Sequence, residues 1–297
     1  GYFLKYSSES NLKTVGLEMG GKSPFIILDD AEITDDLIEN AVSSAFWNGG
    51  QNCSANMRQI VDKRLKDDYL HRIIKLTESY KVGEPLDPNT DLGSMITQEH
   101  QQRVLSYIAK GCDEGANLIA GKNGAMDREG YFIQPTIFDN VDPQSTIAKE
   151  EIFGPILHLV TFKSQELDQI INDINATGYG LTFGLHTRID DRVQYVSDRI
   201  ISGNVYINRN QIGAIVGSQP FGGTGLSGTG PKAGGPNYLL RFRAAKPAGS
   251  AGEWTTAQIE LPAITSKPQT ICEHTLPGPT GESNRLTSMS RPPILCM

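Results

Sequence analysis

The feature that most constrains this chain is a repeated alternation of strand-like and helix-like segments between residues 25 and 208. Short β-branched runs, such as residues 25–28 and 59–61, are followed by amphipathic helical patterns, and the same order returns from residue 156 onward. A strand, a helix and a second strand in succession require a crossover connection, which sets the two strands parallel. The sequence therefore predicts an α/β fold with a largely parallel sheet and flanking helices. Tyr131-Phe-Ile133 is predicted to be one further strand.

One helix of this series is specified in detail by its ends. Thr34 is a suitable N-cap, and Asp35 and Asp36 place negative charge in the first turn, where the helix dipole favours it. Apolar residues then recur on one face with the helical period, and the pair Gly49-Gly50 is predicted to end the helix.

Cys53 follows that glycine pair and is the candidate nucleophile. A cysteine attacks as the thiolate, and the glycines before it let backbone amides approach a reacting atom. A buried structural cysteine is the commoner interpretation for such a residue taken alone. Because a helix C-terminus disfavours a thiolate, activation would come from the N-terminus of a following helix or from the amides of Ser54 and Ala55. An activated Cys53 would react with iodoacetamide ahead of Cys112, which has no predicted role.

Residues 16–23 match the phosphate-loop pattern G-x-x-x-x-G-K-[ST]. That loop needs a helix directly after its Lys-Ser pair, whereas Pro24 and a strand pattern follow here. A nucleotide triphosphatase is therefore disfavoured. What the segment retains is a carboxylate, Glu18, in a glycine-flanked turn.

Gly223, Gly225 and Gly228 spell the dinucleotide pattern G-x-G-x-x-G. Prolines on both sides replace the strand and helix that this fingerprint requires, so these glycines are not predicted to bind a dinucleotide. The high density of glycine between Gly213 and Gly235 instead predicts a functional loop whose backbone approaches another group closely.

The overall composition excludes several classes of protein. The 27 basic and 34 acidic side chains of the 297 residues leave a net charge of −7, spread along the chain, so no nucleic-acid partner is expected. No apolar run approaches the roughly 20 residues of a membrane span, and a soluble, cytoplasmic protein is expected. The four cysteines and five histidines lack metal-site spacing, so no metal is predicted.

The C-terminal region differs in composition from the rest. Seven of the 16 prolines fall in the final 51 residues, among Ser, Thr and Gly, with little apolar periodicity. Residues 1–245 are therefore predicted to form the folded domain. Residues 246–297 are predicted to be a proline-rich tail that is poorly ordered or docked on the body.

Five motifs occur in an order that resembles the aldehyde dehydrogenase superfamily, over residues 10–245. They are Leu17-Glu-Met-Gly-Gly-Lys-Ser, Gly50-Gln-Asn-Cys-Ser-Ala, Gly130-Tyr-Phe-Ile-Gln-Pro-Thr, Glu150-Glu-Ile-Phe-Gly-Pro and Pro220-Phe-Gly-Gly. From His158 the chain resembles the glutamate semialdehyde dehydrogenase module of bifunctional proline utilisation A proteins, notably in Gly203-Asn-Val-Tyr-Ile-Asn-Arg-Asn. The resemblance implies an aldehyde dehydrogenase-type catalytic domain. Most of the family's coenzyme domain, with an oxyanion-binding asparagine, would precede Gly1 and is expected to be missing.

The resemblance also implies roles for two catalytic residues and for NAD as the cofactor. Cys53 would attack the aldehyde to form a thiohemiacetal, which becomes a thioester after hydride transfer. Glu18 would then activate water for hydrolysis. This division suits the residue types, because a thiolate is both a good nucleophile and a good leaving group.

The binding residues follow from the same matching positions. Glu151 would hold the nicotinamide ribose, with Phe153 packing nearby. The substrate's α-carboxylate would be held by Ser54, Gly213 and Ala214. Phe221 would form a wall of the tunnel that admits the aldehyde.

The implied function is NAD-dependent oxidation of an aldehyde, with L-glutamate γ-semialdehyde as the expected small-molecule substrate in proline breakdown. Two alternatives remain open. One is an aldehyde dehydrogenase for other small aldehydes, and the other is an inactive fragment or oligomerisation partner. A homo-oligomer is possible under either interpretation.

Overall fold

The computed structural model describes residues 2–10, 15–122, 124–242 and 270–289. The chain divides into two compact units. The first comprises Gly1–Ile212 and Gly222–Gly230, and the second comprises Gly213–Phe221 and Pro231–Met297.

The first unit is built on a seven-stranded sheet. In spatial order its strands are Asn117–Ala120 (β3), Thr136–Asp139 (β4), Ile156–Phe162 (β5), Arg58–Asp62 (β2), Pro24–Ile27 (β1), Thr182–His186 (β7) and Asn204–Ile207 (β8). Every neighbouring pair is parallel except β3 and β4, which are antiparallel. The predicted α/β fold with a largely parallel sheet is therefore confirmed. A separate pair of two-residue strands, Tyr179–Gly180 (β6) and Thr224–Gly225 (β9), is antiparallel.

The helices alternate with these strands as the pattern predicts, except for the first helix, which precedes the sheet. They are Tyr2–Glu9 (α1), Asp35–Phe46 (α2), Lys66–Ser79 (α3), Gln98–Asp113 (α4), Thr146–Lys149 (α5), Leu167–Ala176 (α6) and Asp190–Ser197 (α7). Thr34 caps α2 as predicted, since its side chain accepts the amide hydrogen of Leu37 at 3.2 Å. A 3₁₀ turn, Trp47–Gly50, follows α2, and short 3₁₀ segments also occur at Ser164–Glu166 and Leu239–Phe242. No helix in the described ranges is long and apolar enough to cross a membrane.

Two hydrophobic clusters cover the two faces of the sheet. Successive residues of a strand point to opposite faces, so Ile26 belongs to one cluster while Phe25 and Ile27 belong to the other. The first cluster includes residues of α4 and α6, and the second includes residues of α2 and α3. Burial on both faces explains why the strands are continuous apolar runs rather than alternating ones.

The predicted strand at Tyr131-Phe-Ile133 is wrong. This stretch forms only an isolated bridge between Ala125 and Ile133. Gly130 has a φ of +110°, a turn conformation that precedes the run. β-propensity in three residues is overridden where the chain has no neighbouring strand to pair with.

The second unit contains an antiparallel hairpin of Thr270–Leu276 (β10) and Asn284–Met289 (β11). In the part of the second unit that precedes the hairpin in sequence, Phe221 and Ala233 exchange two backbone hydrogen bonds of 2.9 and 2.7 Å. The side-chain amide of Gln219 donates to the Glu282 carboxylate at 3.1 Å, which joins the segment Gly213–Phe221 to the loop between β10 and β11. The hairpin falls within the segment predicted to be a tail, while residues 246–269 and 290–297 lie outside the described residues. The predicted boundary at residue 245 therefore stays a prediction.

Candidate active site

Three candidate residues lie at one edge of the sheet. Glu18 precedes β1, Cys53 precedes β2 and Glu151 precedes β5. The strands β5, β2 and β1 are parallel neighbours in that order. Since parallel strands present their amino ends at the same edge, residues far apart in sequence are brought together there.

Hydroxyl groups of neighbouring strands hold the backbone of Cys53 in place. Ser23, just before β1, donates a hydrogen bond to the carbonyl oxygen of Cys53 at 3.2 Å. Thr182, the first residue of β7, donates in turn to the Ser23 oxygen at 2.7 Å. Asn52 accepts both the amide and the hydroxyl hydrogen of Ser54 at 3.2 Å, so an Asx turn forms around Cys53.

The cysteine loop and the Glu151 turn pack backbone against backbone. Gly50 has a φ of +68°, and a β-carbon at this position would lie 2.3 Å from the carbonyl oxygen of Gly154. That separation is impossible for a side-chain carbon, so glycine is required for the approach. The nucleophile loop is thereby fixed against the turn that carries Glu151.

The Glu151 carboxylate is held against the backbone that follows Glu18. The amide of Gly21 donates to Glu151 Oε1 at 3.0 Å. A β-carbon on Gly20 would lie 1.8 Å from Oε2 of the same carboxylate. Glycine at position 20 therefore opens the space that the Glu151 carboxylate occupies.

Helix α4 anchors the Glu151 turn from its other side. Arg103 donates to the carbonyl oxygens of Glu151 and Ile152 at 3.0 and 3.1 Å. Nε2 of His100 lies 2.6 Å from the carbonyl oxygen of Phe153, and the two rings meet edge to face. Phe153 has a φ of +61°, a conformation uncommon for a residue with a side chain. These three hydrogen bonds help to hold that backbone in place.

The segment that carries Glu18 is held by the glycine-rich loop of residues 222–230, within the same unit. Glu18 forms an antiparallel bridge with Gly228. Thr229 donates its amide to the carbonyl oxygen of Leu17 at 3.1 Å, and a β-carbon on Gly228 would lie 2.9 Å from that oxygen. The predicted close approach of this loop is confirmed, and its target is the backbone beside Glu18. The Glu18 side chain itself is exposed.

The electrostatics of the site keep Cys53 protonated in the chain alone. Burial raises the pKa of the Cys53 thiol, as do the charges of Glu151 and Glu18. The amides of Cys53 and Ser54 lower this pKa but are outweighed. No helix begins after Cys53, because β2 follows. Of the two predicted amides only that of Ser54 acts on the thiol, together with the Cys53 amide, whereas the Ala55 amide donates to the carbonyl oxygen of Asn52 at 3.1 Å. The electrostatics of the described residues therefore oppose the predicted activation of Cys53.

Comparison with known proteins places this geometry in a family. The sequence profile of the aldehyde dehydrogenase family matches residues 2–247. The chain belongs to the aldehyde dehydrogenase family.

Among curated relatives of the family, the bifunctional protein PutA of Klebsiella aerogenes is 35% identical over 317 aligned positions, which cover 94% of this chain and 24% of that protein. A 1-pyrroline-5-carboxylate dehydrogenase of Bacillus licheniformis is 41% identical, with coverage of 80% and 45%. A solved structure of an aldehyde dehydrogenase of Bacillus cereus in complex with NAD⁺ matches with a TM-score of 0.75 and 35% identity. The match covers 81% of this chain and 47% of the chain in that structure. The chain thus spans less than half the length of these relatives.

The predicted substrate-binding residues fall in different units. Ser54 is buried in the first unit, and its hydroxyl hydrogen is directed to Asn52. Gly213, Ala214 and Phe221 belong to the second unit. Gly213 has a φ of +109°, and a β-carbon there would meet nothing within 4 Å. The four substrate roles remain predictions.

Sequence reasoning missed the residues that support the site. Asn52 could have been found, because Asn two residues before Ser is a common Asx-turn pattern. Ser23, Thr182, His100 and Arg103 carry no such local signal. Their roles depend on which strands and helices become neighbours.

Proposed function

We propose that this chain supplies the catalytic part of an NAD-dependent aldehyde dehydrogenase, with Cys53 as nucleophile and Glu18 as general base. The observation that carries the proposal is the convergence of Cys53, Glu18 and Glu151 at one edge of the sheet. Both carboxylates act on the thiol electrostatically, and the Glu151 turn packs on the cysteine loop. A soft nucleophile beside a carboxylate base suits acyl chemistry that forms and then hydrolyses a thioester.

In the first step the Cys53 sulfur bonds to the aldehyde carbon. Because the raised pKa leaves the thiol protonated, its proton has to be transferred as the carbon–sulfur bond forms, and Glu18 is the proposed acceptor. The aldehyde oxygen takes up a proton to complete the thiohemiacetal or is stabilised as the oxyanion. The Cys53 amide is the proposed donor to that oxygen, a contact of a kind worth roughly 10²- to 10³-fold in rate.

The residues of the Glu151 turn fit the nicotinamide end of NAD. Within the described residues the half-buried Glu151 carboxylate accepts one hydrogen bond, at Oε1. A carboxylate has further lone pairs that can accept from ribose hydroxyls. The half-buried Phe153 ring offers an apolar surface beside it. When bound, the nicotinamide supplies the hydride acceptor that converts the thiohemiacetal to a thioester. The chain's contribution is to orient the ring through Glu151 and Phe153.

Hydrolysis of the thioester completes the reaction. Glu18 takes a proton from water, the water oxygen bonds to the acyl carbon, and the carbon–sulfur bond breaks to release the carboxylic acid. The exposed position of Glu18 suits this role, because the base must exchange protons with solvent.

L-Glutamate γ-semialdehyde is the proposed substrate, and L-glutamate the product. Its support is the set of relatives named 1-pyrroline-5-carboxylate dehydrogenase and PutA, at 35–41% identity. The proposed ligands of the substrate's α-carboxylate are the backbone amides of Gly213 and Ala214 and the hydroxyl of Ser54. The ring of Phe221 is proposed to lie along the path of the aldehyde.

The proposal is tested with NAD and the semialdehyde, first on the purified chain and then on a protein that carries this chain together with a coenzyme domain of the family. We expect NADH formation in the second protein and in its Cys112→Ser variant, and none in its Cys53→Ser variant. Oxidation of other small aldehydes at an equal or higher kcat/KM would contradict the substrate assignment. No NADH and no NAD binding would show that the chain does not catalyse independently and would favour an inactive fragment or an oligomerisation partner.

The role of Glu18 is tested in a protein that carries this chain together with a coenzyme domain of the family. In Glu18→Gln we expect a rapid first turnover of NADH followed by a steady-state rate about 10²- to 10⁴-fold lower, because the thioester accumulates. Glu99→Gln, on the exposed first turn of α4, is the matched control. An unchanged steady-state rate without acyl-enzyme would remove Glu18 from the mechanism.

A further inference from the structure

Three basic side chains are buried on one face of the sheet, next to the candidate active site. Arg58 and His158 are paired residues of the neighbouring strands β2 and β5, and Pro24 of β1 continues the same row. Lys22 lies two residues before Pro24. Their exposed fractions are 4% for Lys22, 2% for Arg58 and 0% for His158. None of the three has a role in the proposed function.

Four polar atoms of this cluster are buried without a hydrogen-bond partner within the described part of the chain. The unpaired atoms are Lys22 Nζ, Arg58 Nε and both ring nitrogens of His158. A buried charge without a partner is strongly unfavourable. A guanidinium cannot relieve this by losing its proton, so Arg58 requires compensation from another group.

The nearby carboxylates do not compensate Lys22 and Arg58 through direct ion pairs. Glu150 and Glu151 attract Lys22, and Asp173 attracts Arg58, but only through longer-range charge interactions. Glu151 is engaged by the Gly21 amide, and Glu150 accepts a hydrogen bond from Tyr107 at 2.6 Å. Burial and Arg58 lower the pKa of Lys22 to about 7. Lys22 and Arg58 are therefore buried cationic donors that no carboxylate of the described residues meets in a direct ion pair.

A small cavity adjoins the cluster. It is lined by Lys22 and Arg58, together with polar groups that include Thr182 and Ser202. The centre of a water-sized molecule can move within about 10 Å³ of this cavity. That volume is roughly what one water molecule requires. A chloride ion is only slightly larger than water, whereas an organic carboxylate or a phosphate exceeds this space.

We propose that the cavity beside Lys22 and Arg58 is a binding site for one small monovalent anion of halide size. The anion accepts hydrogen bonds from the Lys22 ammonium and the Arg58 guanidinium, whose buried atoms Nζ and Nε otherwise lack a partner within the described residues. The inference is independent of the proposed enzymatic function. It predicts that halide binding stabilises the fold of the first unit.

The experiment measures the melting temperature of the purified chain in sodium chloride or bromide against sodium gluconate, at one pH and one ionic strength. Gluconate is too large for the cavity. At a halide concentration ten times its Kd the folding equilibrium constant rises about 11-fold, which corresponds to a saturable increase of roughly 3 °C. Lys22→Met should abolish this difference between halide and gluconate. Lys75→Met, at an exposed position of α3, should retain it.

Crystals grown in bromide provide the direct test, which does not depend on how well Lys22→Met folds. We expect an anomalous peak within hydrogen-bond distance of Lys22 Nζ and of the Arg58 guanidinium. A cavity without bromide would overturn the proposal and assign the space to water. Equal melting temperatures in halide and gluconate, or an unchanged halide effect in Lys22→Met, would overturn it as well.

Discussion

Cys53 is a thiol surrounded by groups that oppose its ionisation. Burial has the largest effect on its pKa, and the Glu151 charge is the next largest that raises it. The surroundings therefore favour the protonated form of Cys53, and in the proposed mechanism a base removes that proton. Such an arrangement limits reaction with other electrophiles, because only the thiolate attacks.

Neutralising Glu151 should make Cys53 more reactive. In Glu151→Gln the loss of one nearby negative charge lowers the Cys53 pKa, so the thiolate fraction increases. We expect alkylation by iodoacetamide at pH 8 to accelerate roughly threefold, and the pH profile to shift to lower pH. The rate is measured by mass spectrometry of the Cys53 peptide.

Glu150→Gln is the matched control, because Glu150 is adjacent in sequence but is not among the charges that act on Cys53. Its alkylation profile should remain that of the wild type. A profile that shifts equally in both variants would contradict the assignment to Glu151. In the wild type at neutral pH, the exposed Cys112 should now react before Cys53.

At the scale of elements, the site depends on contact between two turns rather than on a single helix or strand. The cysteine loop follows α2, the Glu151 turn follows α5, and the backbones meet at Gly50 and Gly154. The Glu151 turn is in turn anchored on α4. A change at the contact should therefore affect stability and site geometry together.

Gly50→Ala should destabilise the chain more than Gly115→Ala. Both glycines have positive φ, +68° and +87°, so both substitutions carry the backbone strain of a left-handed residue. Only at Gly50 would the new methyl group collide with backbone, the Gly154 carbonyl group. We expect Gly50→Ala to lose about 1–3 kcal/mol more of the free energy of unfolding than Gly115→Ala. Urea denaturation provides the measurement, and equal losses would refute the packing argument.

At the scale of the whole molecule, the two edges of the large sheet differ in character. The amino edge carries the candidate site, and the carboxyl edge carries a network of ion pairs. Asp30 follows β1 and accepts hydrogen bonds from Thr187, the Arg188 amide and Arg192. Burial opposes the ionisation of Asp30, but these hydrogen bonds outweigh it, so its pKa lies below the ordinary value. The network joins the ends of β1 and β7.

This depressed pKa predicts a pH-dependent contribution of Asp30 to stability. The contribution is present above the unfolded pKa, about 3.9, and is lost as the pH falls through the lower folded value. Asp30→Asn should cost about 1–2 kcal/mol at pH 7 and progressively less below pH 4. Urea unfolding across this pH range tests it, with the exposed Asp113→Asn as control. A cost that is constant with pH would show that the charge of Asp30 is not responsible.

Local patterns were sufficient for most of the secondary structure. The Thr34 cap, the apolar stripe of α2 and the β-branched runs act within a few residues of themselves, so they form as predicted. The order of these elements also predicted the parallel sheet, because a crossover connection has few alternatives. Tyr131-Phe-Ile133 had the right residues for a strand but no neighbouring strand, and pairing is not a local property.

The sequence by itself determined the elements, the family motifs and the identity of the candidate residues, since each is written in adjacent positions. Only the tertiary structure decided that the loop of residues 222–230 supports the backbone of Glu18 and that Gly50 meets Gly154. It also decided that burial and the charge of Glu151 raise the pKa of Cys53, and that Lys22, Arg58 and His158 are buried together. The physical reason is that packing, burial and charge interactions depend on distances in space, and residues far apart along the chain become neighbours only when the strands align.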